Sequence, residues 1–242
     1  MPRIERNPNL GGVRVGLIIP SVNTTIEPEF ARMAPEGFSF HAARVMLRET
    51  TPEGLRAMNA EVSSAARLIA SVSPKAVAYA CTSGSFLEGA AALQLQIAEI
   101  GAITACPVVA TSAVMIDALR ALGLSRIALA TPYLEVLNRI DKQYFESQGF
   151  SVVSVHGLGL SGAAIREVLP EEVCRLVRSA DRPDAEGIFV SCTDFRAVET
   201  VALLEDELGK PVLTSNLVTL WGVLRACGHS TRRAGPGRLF AA

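Results

Sequence analysis

Short apolar runs alternate with segments of helical periodicity along most of this chain. The runs at 13–20, 76–80 and 187–191 are mostly hydrophobic, which is typical of strands buried on both faces of a parallel sheet. Residues 51–71 open with Thr-Pro-Glu, a helix cap followed by proline, and continue as an amphipathic helix. This alternation predicts an α/β fold of doubly wound parallel sheets. The other predicted strands are 38–45, 107–110, 126–130, 151–155 and 211–213, and the other predicted helices are 85–100, 111–122, 133–148, 171–180, 197–208 and 215–226.

The second half of the chain repeats the pattern of the first. The spacing from Pro20 to Cys81 matches that from Pro132 to Cys192 to within one residue. Each cysteine is followed by a predicted helix, a Pro-Val strand and a Thr-Ser pair that opens another helix. Such self-similarity indicates a duplicated unit. We therefore predict an N-terminal lobe over 12–118, a C-terminal lobe over 119–228 and a tail over 229–242, with the active site in the cleft between the lobes.

Composition and charge exclude several classes of function. The 242 residues are 49% hydrophobic and 19% charged with a formal net charge of −1, so no basic face for nucleic acid is expected. The apolar runs are too short for a membrane span, and the N-terminus lacks the apolar core of a secretory signal. Five cysteines without a CxxC spacing favour free thiols in a cytoplasmic setting. Nucleotide-binding glycine motifs, a serine-hydrolase elbow and metal-ligand histidine spacing are also absent.

Cys81 and Cys192 are the candidate catalytic residues. Each ends a predicted buried strand and is followed by hydroxyl residues in what resembles a turn into a helix, where the dipole is expected to lower the pKa of a thiol. The alternative is that they are small core hydrophobes, a common role for free cysteine. Because the arrangement occurs twice, the catalytic interpretation is favoured for this pair. We interpret the other three cysteines, Cys106, Cys174 and Cys227, as structural.

Two opposed thiols suit two reactions of small carboxylic acids. One thiolate removes a proton beside a carboxylate while the other thiol protonates the opposite face; alternatively, a thiolate adds to a double bond, which then rotates before elimination. Both routes place negative charge on the substrate. Backbone N–H groups and the hydroxyls of Thr82, Ser83 and Thr193 are predicted to stabilise it. Asn23 and Tyr133 each follow the first strand of their half. The Asn23 amide is predicted to orient a substrate carboxylate, and the Tyr133 hydroxyl is predicted to face the substrate, with ordinary packing as the alternative for Tyr133.

These motifs resemble the aspartate/glutamate racemase superfamily, and within it the branch of maleate cis-trans isomerases and arylmalonate decarboxylases. The resemblance covers residues 13–228 and is carried by Pro-Ser-Val-Asn-Thr-Thr, Tyr-Ala-Cys-Thr-Ser-Gly, Thr-Pro-Tyr and Ser-Cys-Thr. It implies two Rossmann-like lobes related by a pseudo-twofold axis, catalysis without a cofactor and a homodimer. In such isomerases the cysteine matching Cys81 is the nucleophile and that matching Cys192 its acid/base partner. Residues matching Asn23 and Tyr133 bind the substrate carboxylates.

Several segments depart from the isomerase pattern and keep alternatives open. Residues 160–164 read Leu-Ser-Gly-Ala-Ala where maleate isomerases commonly carry an asparagine. Residues 82–86 and 235–240 look more like arylmalonate decarboxylases, which keep only the second cysteine. Residues 47–54 are similar to racemase-like proteins of ectoine breakdown. The leading hypothesis is a two-cysteine isomerase or racemase; the alternatives are an ectoine-linked racemase, a decarboxylase that uses Cys192 alone, and a non-enzymatic small-acid binding protein.

Overall fold

Two four-stranded parallel sheets form the framework of the protein. The computed structural model describes residues 12–241. The strand order is β2-β1-β3-β4 in the first sheet and β6-β5-β7-β8 in the second, so the two halves share one topology, and the predicted α/β fold is confirmed. The strands are β1 Val13–Pro20, β2 Phe38–Val45, β3 Ala76–Tyr79, β4 Val108–Ala110, β5 Arg126–Tyr133, β6 Ser151–Leu160, β7 Gly187–Val190 and β8 Val212–Thr214.

Helices pack around both sheets, and several differ from the predicted bounds. They are α1 Ile26–Met33, α2 Pro52–Ala60, α3 Val62–Ala70, α4 Thr82–Phe86, α5 Gly89–Thr104, α6 Thr111–Ala121, α7 Glu135–Ser147, α8 Pro170–Ala180, α9 Val201–Leu208 and α10 Ser215–Ala226. The sequence pattern missed α1 and joined α2 to α3. It also missed α4, which Leu87 and Glu88 separate from α5; Gly89, the first residue of α5, has a φ of +80°. Thr51 caps α2 as predicted, its side chain accepting from Gly54 N at 3.2 Å.

The two sheets are joined across the helices that follow their last strands. Helix α10 packs on α6, and the hydroxyls of Thr111 and Thr219 share a hydrogen bond of 2.8 Å. The predicted lobe boundary after residue 118 falls inside α6, and the chain passes to the second sheet after that helix ends. In the predicted tail, a 3-10 turn at Arg238–Phe240 buries Leu239 and Phe240. Within residues 12–241, no helix is both long and apolar enough to cross a membrane.

Candidate active site

Cys81 and Cys192 line one small cavity between the two sheets. Cys81 follows β3 and Cys192 lies two residues after β7, and these strands hold the same position in their sheets. The duplicated topology therefore brings both thiols to one cavity, which measures about 20 Å³. That volume holds about one water molecule, so the described conformation is closed around its centre. Four further residues predicted for the site also line this cavity: Thr82, Ser83, Tyr133 and Thr193.

Asn23 lies directly behind this lining. Its amide is fully buried and binds protein groups: Oδ1 accepts from the N–H groups of Thr25 and Ile26, and Nδ2 donates to Thr193 Oγ1 at 3.0 Å. These bonds cap the start of α1 and hold the Thr193 hydroxyl. Direct contact of Asn23 with a substrate carboxylate stays a prediction.

The Cys81 thiol is held at the first turn of α4. Gly84 N donates to its Sγ at 3.3 Å, and Ser83 Oγ lies 3.9 Å away. The side chain is 3% exposed, and burial raises the pKa of the Cys81 thiol to about 11, although the Gly84 N–H and the Ser83 hydroxyl lower it. The predicted lowering of this pKa is therefore wrong for the closed cavity, because the loss of solvent outweighs the two hydrogen bonds.

Cys192 has a strained backbone, and burial disfavours its thiolate more strongly than that of Cys81. Its φ is +98°, a conformation that non-glycine residues rarely adopt and that is concentrated at functional sites. Burial, followed by the negative charge of Asp194, raises the pKa of the Cys192 thiol far above its usual value, although Asp194 N donates to Sγ at 3.4 Å. The predicted helix start is absent here, since the next helical turn is the 3-10 turn Val198–Thr200.

Tyr133 presents its hydroxyl to the cavity. It lies at the end of β5, where the sequence predicted a helix start, and is 1% exposed. Within residues 12–241 the hydroxyl has no partner at full hydrogen-bond geometry, but it lies close enough to the Cys192 thiol to lower the pKa of that thiol. Burial, followed by the nearby charge of Cys192, raises the pKa of Tyr133 well above its usual value, so the group is a hydrogen-bond donor at neutral pH.

A single hydroxyl joins the two cysteine loops. Ser215 Oγ accepts from Thr82 Oγ1 at 2.8 Å and from Cys192 N at 3.0 Å. Thr193 Oγ1 adds a second link by donating to Ala80 O at 3.2 Å. The sequence analysis did not select Ser215, although the repeated Thr-Ser pair after each Pro-Val strand was a usable signal.

We predict that Ser215→Ala lowers both kcat and the free energy of unfolding. The substitution leaves the buried Cys192 N–H and the Thr82 hydroxyl without their acceptor, at a cost of about 1–3 kcal/mol for each unsatisfied group. The strained Cys192 turn is the segment that this acceptor holds. Turnover and thermal unfolding of Ser215→Ala, compared with the exposed Ser71→Ala, check this; equal kinetics in the two variants would show that the link is dispensable.

Known proteins match this chain over nearly its whole length. The family model described as arylmalonate decarboxylase matches residues 15–240. The chain belongs to this family. Maleate isomerase of Nocardia farcinica (strain IFM 10152) is 30% identical, with 96% of each chain covered. Arylmalonate decarboxylase of Bordetella bronchiseptica is 29% identical, covering 93% of this chain and 95% of that protein.

Solved structures of family relatives superpose over nearly the whole chain. The maleate isomerase Iso from Pseudomonas putida S16, with one cysteine replaced by alanine and with maleate, has a TM-score of 0.90 at 26% identity, covering 95% of this chain and 97% of that chain. The Nocardia farcinica maleate cis-trans isomerase, as a cysteine-to-serine mutant with a covalently bound succinylcysteine intermediate, has a TM-score of 0.86 at 28% identity, covering 95% of this chain and 98% of that chain.

Two loops close the cavity of this family member. Thr50 N donates to Ser161 Oγ at 2.8 Å, and Gly162 N donates to Thr50 Oγ1 at 3.3 Å, so these loops link the two halves of the chain. Strand β6 extends beyond the predicted 151–155 through Leu160 by pairing with β5. Because the closed cavity is so small, these loops must move before an acid of several carbons enters.

The raised pKa of Cys81 predicts slow alkylation at neutral pH. Iodoacetamide reacts with the thiolate, whose fraction rises about tenfold per pH unit below the thiol pKa. We therefore expect the rate at Cys81 to climb steadily from pH 7 to pH 9.5, because burial holds its pKa near 11. Mass-spectrometric mapping of the labelled peptides measures the rate. A plateau near pH 7 would mean that the unliganded cavity is open to solvent.

Proposed function

We propose that this chain is a cofactor-independent isomerase of small carboxylic acids that uses Cys81 and Cys192 as its reacting groups. The observation that carries the proposal is the meeting of both thiols at one closed cavity. The hydroxyls of Ser83 and Tyr133 line the same cavity, so donors for a carboxylate lie beside the thiols. The Thr82 hydroxyl also lines it, with its proton donated to Ser215. Sequence relatives that are maleate isomerases, matched over nearly the full chain, support the assignment to isomerases.

The two thiols divide the proton transfer between them. In a racemisation, the Cys81 thiolate takes the proton beside the carboxylate, the electron pair of the C–H bond moves into the carboxylate, and the Cys192 S–H delivers its proton to the opposite face. In a cis-trans isomerisation, the Cys81 thiolate adds to the double bond, rotation follows, and elimination restores the thiolate. The donors of the lining stabilise the negative charge in both cases.

The role of Cys81 as nucleophile is supported by its place at the start of α4, where Gly84 N donates to Sγ. Cys192 is proposed as the acid/base partner, because burial and the Asp194 charge favour its protonated form. Thiolate formation at neutral pH is proposed to require opening of the loops that meet at Thr50 and Ser161, because burial holds the pKa of Cys81 near 11 and contact with solvent lowers it.

A decarboxylase that uses Cys192 alone is the second candidate. The match to the arylmalonate decarboxylase family over 15–240 favours it. In that reaction the bond to a carboxylate breaks with loss of carbon dioxide, and Cys192 protonates the carbanion. Carbon dioxide release that survives Cys81→Ala would favour this function over the isomerase.

Proton NMR in heavy water tests the proposed function. The wild-type enzyme is incubated with maleate, arylmalonates, and small amino and hydroxy acids. We expect one class of acid to isomerise, or to exchange its proton beside the carboxylate, and we expect either Cys81→Ala or Cys192→Ala to stop the reaction. No conversion of any acid would support the binding-protein alternative.

We also propose that the enzyme is a cytoplasmic homodimer. The free thiols of all five cysteines are consistent with a reducing compartment. Light scattering of the purified protein measures the oligomeric state, and a monomer at micromolar concentration would contradict the dimer.

A further inference from the structure

Asp194 places a buried carboxylate beside the two thiols. It is 6% exposed, lines the catalytic cavity and lies two residues after Cys192. One carboxylate oxygen is satisfied, because Oδ1 accepts from Thr24 N at 2.8 Å and from Thr25 Oγ1 at 3.0 Å. The other oxygen, Oδ2, is buried without a hydrogen-bond partner within residues 12–241. A buried acceptor without a donor is destabilising, which points to a donor that arrives with a ligand.

No cation of the lining balances this carboxylate. Among the described residues that line the cavity there is no lysine, arginine or histidine. Arg166 lies outside the lining, where its guanidinium donates to Val22 O at 2.8 Å. Burial raises the pKa of Asp194, while the N–H of Thr24, the Thr25 hydroxyl and the charge of Arg166 lower it. A second carboxylate of a substrate would therefore be repelled here, whereas a hydrogen-bond donor would be attracted.

The rest of the lining supplies two other kinds of contact. Tyr133 offers a hydroxyl donor beside Cys192, which suits one carboxylate of the substrate. Val22, Leu47 and Ile165 contribute apolar surface, which suits a hydrocarbon group. A carbon that carries a carboxylate, a donor and an apolar group matches these three contacts and leaves its hydrogen for the thiols.

We propose that Asp194 determines specificity by accepting a hydrogen bond from an N–H group, such as an ammonium, on the carbon next to the substrate carboxylate. This rests on the proposed function and narrows it to racemisation of an α-amino acid with a small apolar side chain. The C–H bond breaks as Cys81 gains the proton, the electron pair moves into the carboxylate, and a new C–H bond forms with the proton of Cys192. Nothing is oxidised or reduced, and the two thiols exchange protonation states.

Asp194→Asn tests this directly, because asparagine has the shape of aspartate but replaces one acceptor oxygen with an NH₂ donor. The asparagine Oδ1 still accepts from Thr24 and Thr25, while an NH₂ donor replaces the free oxygen. The probes are 2-aminobutanoate and maleate, and the readout is the protection of Cys81 and Cys192 against iodoacetamide, which requires binding but no turnover. In the wild type we expect 2-aminobutanoate to protect at a concentration at least about tenfold below that of maleate.

Three variants distinguish an effect on substrate preference from an effect on folding. Asp194→Asn should lower the preference for 2-aminobutanoate over maleate at least about tenfold, and Asp194→Ala should weaken 2-aminobutanoate without a matching gain for maleate. Asp184→Asn, an exposed residue before β7, is the matched control and should change neither. Thermal unfolding confirms that each variant is folded.

Three results would each overturn the assignment of Asp194. Maleate protects the wild type at a lower concentration than 2-aminobutanoate does, or neither acid protects, or Asp194→Asn changes the ratio of the two protecting concentrations by less than about threefold. Failure of the proposed function has a different signature. In that case Cys81→Ala and Cys192→Ala would retain turnover, whatever ratio the Asp194 variants give.

Discussion

Cys81→Ala is expected to lower kcat/KM by at least about 1,000-fold, because it removes the group that takes the proton or adds to the double bond. Cys192→Ala should have an effect of similar size, since the reaction then lacks its acid on the opposite face. Steady-state kinetics with the acid identified by NMR measures both. Neither substitution should unfold the protein, because each thiol is a small side chain whose sulfur accepts one long backbone hydrogen bond.

Cys106→Ala is the matched control for both variants. Cys106 is a free, half-buried thiol just before β4, outside the cavity lining. It should retain near wild-type kinetics. Substantial activity in Cys81→Ala would remove the nucleophile from the mechanism and favour the decarboxylase that relies on Cys192.

The second large expected effect is a pH-dependent change in the free energy of unfolding, caused by the buried Asp141 of α7. Ser191 Oγ donates to Asp141 Oδ2 at 2.6 Å directly before Cys192, while Oδ1 is buried without a partner within residues 12–241. Burial raises the pKa of Asp141 from 3.8 to about 7, although the Ser191 hydroxyl lowers it. Because the pKa is higher in the folded state, the stability from this group is fully present below pH 3.8 and is lost as pH rises through about 7. The shift corresponds to roughly 4 kcal/mol.

Asp141→Asn should abolish this part of the pH dependence. Asparagine keeps an acceptor for Ser191 and stays neutral, so the difference in unfolding free energy between variant and wild type should change by roughly 4 kcal/mol from pH 4 to pH 8. Denaturant unfolding across that range measures the difference. Glu29, with a pKa raised to about 7 mainly by burial, titrates in the same window but cancels in the comparison. Parallel curves for Asp141→Asn and wild type would show that the pKa of Asp141 is the same in the folded and unfolded states, and would contradict this account.

The sequence predicted the sheet framework and the two thiols because both leave local signals. Uniformly apolar runs mark buried parallel strands, and the repeated strand-Cys-Thr pattern reveals the duplication. The helix breaks were harder to predict: α4 ends after five residues, and α2 and α3 meet at Glu61 without proline or glycine. A helical pattern that continues through such a junction looks like one helix.

The acidic residues of the site could not be found from local sequence. Asp194 follows Thr193 in what resembles an ordinary polar turn, and its burial depends on Thr24, 170 positions earlier in the chain. Asp141 lies in an amphipathic helix where aspartate usually faces solvent, and only its contact with Ser191 shows that it is buried. The pKa of Cys81 was misjudged for a similar reason. A helix start is visible in the sequence, whereas the solvent exclusion that outweighs it arises from loops of both halves.

The most direct test is a crystal structure of the Cys192→Ser variant with the acid that the NMR experiment identifies as substrate. We predict that the reacting carbon lies between the two positions, within about 4 Å of Cys81 Sγ and of the serine oxygen, and on opposite faces from them. Either of two results would contradict a two-thiol mechanism. The reacting carbon of the bound acid contacts neither side chain, or the acid binds instead in the separate pocket lined by Arg32, Arg166 and Arg196.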